Sequence, residues 1–111
     1  MLPIKLTSIA LELNWLRGIY DIYLTAYPVD DTPAIFLTEM DSPRQEIVVT
    51  RNMSGYGVTP NSRCVFVKDY DENRGILEIL IKEGLFEPTG RLLDTTFVKF
   101  PEVKLLLTAD Q

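Results

Sequence analysis

The seven residues DYDENRG, from Asp69 to Gly75, gather three acidic side chains, an asparagine and a glycine. Asp69, Asp71 and Asn73 fit the first three ligand positions of a calcium loop. Such a loop also needs a glycine at its sixth position for the sharp turn and a bidentate glutamate at its twelfth. Counted from Asp69, those places hold Arg74 and Leu80, so a metal reading fails and a helix start replaces it. On that reading Asp71 is the N-cap, and Glu72 lies in the first turn, where the helix dipole favours negative charge.

Other groups could do chemistry. Asp30 with Asp31, or Glu12 with Asp21 on neighbouring strands, could supply paired carboxylates for acid–base work. The stretch SGYGVTPNSR sets Gly55 and Gly57 near Arg63, and exposed amides beside a guanidinium can hold an anion. It matches neither the phosphate loop nor the dinucleotide fingerprint, so a flexible hairpin loop is the stronger reading, and Tyr56 at its tip could equally be a partner contact. Cys64 precedes Val65 and Phe66 in an apolar run and reads as a buried, inert thiol. Tyr20, Tyr23, Tyr27 and Trp15 form an aromatic group on the early strands, which the acidic balance assigns to packing and not to stacked nucleic-acid bases.

The elements that must position these groups follow from periodicity. IALELNW alternates apolar and polar residues as a strand does, although an amphipathic helix over residues 7 to 17 satisfies the same letters. GIYDIYLTAY is the clearest strand. PVDDTP turns the chain, with Asp bonding its own backbone. AIFLTEM, a DSP turn and EIVVTR continue an antiparallel meander. An eleven-residue loop, NMSGYGVTPNS, then leads to RCVFVKDY, a buried central strand. ILEILIKEGL carries an apolar helical stripe, with Gly84 suited to the left-handed position after the helix. FEPTGR reads as a turn, and TTFVKF and EVKLLLT as short strands separated by Pro101. The expectation is one α+β domain over residues 1–111: a mainly antiparallel sheet of about six to seven short strands with one amphipathic helix, about 72–84, packed on it.

Totals narrow the function. The chain has 111 residues, 46% of them hydrophobic and 24% charged, which is ordinary for a globular domain. There is no histidine, which removes Ser-His-Asp and Cys-His catalysis and most zinc sites. One cysteine precludes an internal disulfide and fits a reducing, cytoplasmic setting. No apolar run is long enough to span a bilayer, and the N-terminal residues do not read as a signal peptide. A net charge of −5 argues against direct nucleic-acid binding and is suited to a basic partner.

The second half carries a resemblance. VFVKDYDENRGILEILIKEGLFEPTGR, followed by TTFVKFPEVKLLL, is similar to a family of small acidic proteins of bacterial plasmids, phages and conjugative elements. The matching positions are Phe66, Lys68, Glu72, Asn73, Gly84, Leu85, Thr89, Gly90, Arg91, Phe97, Val98 and Pro101, and the likeness spans roughly residues 64 to 106. Arg74 stands where the family pattern has an acidic residue. The family is a domain of unknown function, so the resemblance implies a mobile-element setting and no catalytic mechanism.

Together these readings lead to a non-enzymatic, protein-binding module without a cofactor or metal. Its sharpest form is a counter-defence inhibitor whose Asp30, Asp31, Asp41, Asp69, Asp71 and Glu72 stand in for phosphates against a basic nuclease of the restriction or CRISPR type. Tyr56 and Arg63 are the candidate loop contacts, and a homodimer is compatible with both. The competing class is a small ligand-binding or carboxylate-dependent enzyme domain using the 52–62 loop, or a plain oligomeric scaffold.

Overall fold

The computed structural model describes residues 3–13, 16–40, 42–95 and 97–106, with the backbone alone for residues 42–45 and 72. Strands β1 (Ile4–Leu13), β2 (Leu16–Ala26), β3 (Pro33–Glu39) and β4 (Ser42–Val48) form a four-stranded antiparallel meander in the order β1-β2-β3-β4. A second four-stranded sheet has the order β5-β6-β8-β7, from β5 (Thr50–Arg51), β6 (Cys64–Val67), β7 (Phe86–Asp94) and β8 (Lys99–Leu105). Helix α1 (Ile76–Lys82) connects β6 to β7. The mostly antiparallel, one-helix architecture agrees with the sequence; the single sheet of six to seven strands does not.

The division into two sheets happens inside EIVVTR, which the periodicity reads as one strand. Val49 donates its N–H to the Ile35 carbonyl of β3 and accepts at its own carbonyl from Lys68, just past β6. One residue therefore bonds both sheets, and the chain crosses between them there. β3 would lose a ladder partner where β4 ends. The Thr50 hydroxyl replaces it, accepting from the Ile35 N–H at 3.2 Å while sharing a 2.7 Å hydrogen bond with Tyr27. Thr50 is buried, so this satisfies an amide that could not find water.

One core lies between the sheets and under the helix. Ile9 and Leu11 of β1, Tyr20, Ile22 and Leu24 of β2, and Ile35 and Leu37 of β3 meet Val65, Val67, Phe86 and Val103 of the second sheet and Ile76 and Leu80 of α1. Residues 4–13 are thus strand and not helix, with Ile9 and Leu11 inward as the alternation requires. Of the aromatic group, Tyr20 is core, Tyr23 stacks on Phe36 at 5.3 Å, Tyr27 bonds Thr50, and Trp15 lies outside the described residues.

Four local readings are corrected. The helix is shorter than 72–84, because Asp71–Asn73 form a separate 3-10 turn and Gly75, at φ 95°, is the N-cap. Asp69, not Asp71, serves the helix start: its Oδ1 accepts from the amides of Gly75 (2.9 Å) and Leu77 (3.1 Å). FEPTGR is no turn; it lies within β7, where the register shifts between Pro88 and Leu92 and Gly90 has φ 88°. That is a bulge, which absorbs turn-type residues inside a strand. Finally, Pro101 does not divide the closing segment into separate strands. It sits within β8, paired with Leu92 of β7, and the β6 ladder stops one residue earlier at Phe66–Glu102, as a residue without an N–H requires. The helix C-terminus is as expected: Gly84 at φ 77° donates to Ile81, and Leu85 donates to Leu80, the paired bonds of a left-handed stop.

Candidate functional site

The outer face of the second sheet carries the chemistry that the sequence hid. Alternation along β8 turns Phe100, Glu102 and Lys104 away from the core face. Glu102 is nevertheless 1% exposed, covered by the Asn52–Arg63 segment. Its Oε2 accepts from the Asn61 amide (2.9 Å) and from Arg91 Nη1 (3.1 Å). Its Oε1 accepts from Asn61 Nδ2 (2.9 Å) and the Thr89 hydroxyl (2.8 Å). Burial alone would push this carboxyl up; the Asn61 amide, the Thr89 hydroxyl, the Asn61 side chain and the Arg91 guanidinium outweigh it and hold it below the usual range. Arg91 reaches further, donating to the Thr59 carbonyl at 3.1 Å and lying over the Phe66 ring at 5.3 Å. Two of the four bonds to Glu102 thus hold Asn61 of the loop, and the other two come from Thr89 and Arg91 of β7. The sequence does contain a signal for this: Glu102 shares its face with the buried Phe100.

The same loop is fixed at its other end. Asn52 Nδ2 bonds the Asp30 carboxylate at 3.0 Å, and the Asn52 Oδ1 accepts from Ser54. Met53 is buried with Phe66 and Phe100 in a second, smaller apolar cluster, to which Val58, Tyr70, Leu93 and Val98 add. Ser54–Tyr56 then make a 3-10 turn closed by Gly57 at φ 70°. The Gly57 amide donates to Ser54 and the Tyr56 amide to Met53, so Gly57 has no amide left to offer an anion. What the turn does offer is Tyr56, 66% exposed.

Beside it stands the β7–β8 connection. The Thr95 hydroxyl accepts from the Val98 amide and donates to the Val98 carbonyl (2.7 Å), and the Thr95 amide donates to the same carbonyl. This clamp presents Phe97 at 92% exposure. Tyr56, Leu93, Asp94, Thr95 and Phe97 line one shallow depression.

The remaining predicted residues fall elsewhere. Arg63, at φ 62°, is exposed at the far end of the loop, where its carbonyl accepts from Leu105; it does not line the depression with Tyr56. Asp30 and Asp31 stand on the β2–β3 turn. Asp30 bonds the Thr32 hydroxyl and amide as well as Asn52, which hold its carboxyl below the usual range, and Asp31 is exposed at φ 61°. Asp71 is exposed in the 3-10 turn before α1 and Asp69 is committed to the helix start. Asp41 and the Glu72 side chain lie outside the described residues. The Glu12–Asp21 carboxylate pair does not form. Glu12 faces Arg17 across the β1–β2 ladder at 3.7 Å, and Asp21 faces Ser8 and pairs with Lys5 at 3.3 Å. The Ser8 hydroxyl foremost, joined by Lys5, lowers the Asp21 carboxyl against the opposing effect of desolvation. Cys64 is buried, and burial followed by the nearby Glu102 charge pushes its thiol up.

Comparison of the chain with protein-family models, with characterised proteins and with solved structures finds no match.

Proposed function

We propose that this protein is a non-enzymatic protein-binding module that makes contact through Tyr56 and Phe97. The observation that carries this reading is the pair of exposed aromatic rings lining one depression on segments that are fixed from below. Exposed aromatics cost solubility and are enriched at contact surfaces, where they bring large area at low conformational entropy. Both segments here are preorganised. The Glu102 cluster and Asn52 hold the loop, and Thr95 holds the hairpin, so little ordering remains to oppose association. In each carboxylate pair that acid–base work could use, one member is engaged elsewhere: Asp21 with Lys5 and Ser8, and Asp30 with Asn52 and Thr32.

The resemblance to small proteins of plasmids and phages supports a mobile-element setting. A second reading, inhibition of a basic nuclease by charge mimicry, is favoured by Asp31 and Asp71, exposed and held in left-handed turns, together with the net charge of −5. The two readings separate in one experiment. Tagged wild type, Phe97→Ser and an Asp31→Asn/Asp71→Asn variant are compared for capture of partners from host extract at low and high salt. Loss with Phe97→Ser at both salts supports the aromatic surface. Loss with the acid variant, at high salt and on adding DNA supports mimicry. Equal capture by all three counts against both.

A further inference from the structure

The depression beside Phe97 is a socket lying directly next to a knob, and the two belong to one patch. A surface that carries both is suited to an isologous contact, in which the same patch on two copies interlocks about a two-fold axis. The charges have the same property. Asp94 and Lys99 face each other at the end of the β7–β8 ladder. Both are exposed, and among the described residues neither side chain makes a hydrogen bond or ion pair. One patch therefore offers an unused anion and an unused cation together. The rest of it is neutral: no charged residue occurs from Asn52 to Ser62, so the chain's acidic excess is not concentrated where two copies would meet.

We propose that the Tyr56–Phe97 surface closes on a second copy of this chain. Phe97 of each copy enters the depression lined by Tyr56, Leu93 and Thr95 of the other, and Asp94 of each meets Lys99 of the other. The proposal rests on the reading of this surface as a protein contact and names its occupant. An interface of so few residues lies at the small end of the specific range, so the dimer is weak and in rapid exchange.

Sedimentation velocity on the full chain, over roughly a hundred-fold range of concentration, tests it by mass action. The wild type is expected to shift reversibly from monomer to dimer. Phe97→Ser, at a side chain with almost no intramolecular contact, is expected to stay folded by circular dichroism and monomeric throughout. Asp94→Lys is expected to weaken the dimer by about ten-fold or more, since like charges then face each other. The double variant Asp94→Lys/Lys99→Asp restores the opposite pair across the axis and is expected to recover most of that loss. A monomeric wild type, a Phe97→Ser dimer, or a double variant no better than Asp94→Lys overturns the proposal. If the wild type is monomeric while Phe97→Ser still loses a captured partner, the dimer falls and the binding-module reading stands. If Phe97→Ser alters neither, both fall.

Discussion

Replacing Glu102 by glutamine keeps the volume of the side chain and removes its charge, which isolates the role of the buried carboxylate. Its two oxygens each accept two hydrogen bonds, from Asn61 N–H and Arg91 on one side and from Asn61 Nδ2 and Thr89 on the other. Glutamine turns one oxygen into a donor, so two of the four bonds face a donor wherever the amide points. Placed beside Thr89 it loses least, because that hydroxyl can rotate to accept. Bonds to a charged acceptor contribute about 1.5–3 kcal/mol each, and the two at risk give a gross loss of roughly 3–6 kcal/mol. Relief of a buried charge offsets several kcal/mol of desolvation, and Arg91, being partly exposed, returns to water. A net loss of about 2 kcal/mol is the expected balance. Urea unfolding at neutral pH measures it, and amide exchange at residues 59–63 reports whether the loop loosens first.

The pH dependence supplies an independent check. The Glu102 carboxyl is lowered in the folded protein, against about 4.3 in an unfolded chain. Its contribution is therefore complete above the unfolded value and is lost as pH falls through the folded one. Asp21 and Asp30 are lowered too, but both remain in the variant and cancel from the difference. The gap between wild type and Glu102→Gln must narrow as pH falls below about 4. A difference under about 0.5 kcal/mol, or one that does not change with pH, refutes the clamp.

Two further outcomes follow from local geometry. Gly75→Ala places a Cβ at φ 95° and 2.7 Å from Leu13 Cδ1; a stability loss of about 1–3 kcal/mol in urea unfolding is expected from the strained dihedral, even if Leu13 moves aside. Thr50→Val keeps shape but strands the buried Ile35 N–H and unpairs Tyr27; a loss of about 1–3 kcal/mol is expected, with faster exchange of the Ile35 amide, and an unchanged amide would show that the hydroxyl does not stand in for the ladder.

Much of this molecule is legible in its letters because the information is local. Alternation identifies β1 and β2, a continuous apolar run identifies β6, and Asp30 is recognisable as a residue that bonds its own turn. Gly84 ends the helix where a left-handed residue is needed, and the four apolar residues Cys64–Val67 are buried together. Each of these depends on neighbours within a few positions. What the letters could not decide is which distant strands share a sheet. EIVVTR carries no turn residue that would break a strand, yet Val49 divides it between two sheets, because only packing determines where a strand stops following its neighbour. The turn-like Pro88 and Gly90 belong to a bulge for the same reason: β8 is available to pair on both sides of it. Alternation puts Glu102 on one strand face with Phe100 but does not say what covers that face. Glu102 is buried because Asn61, Thr89 and Arg91 converge from 41, 13 and 11 residues away. Residue type and period report the faces of elements; the donors that make a buried charge tolerable come from elsewhere in the chain, and only the tertiary structure brings them there.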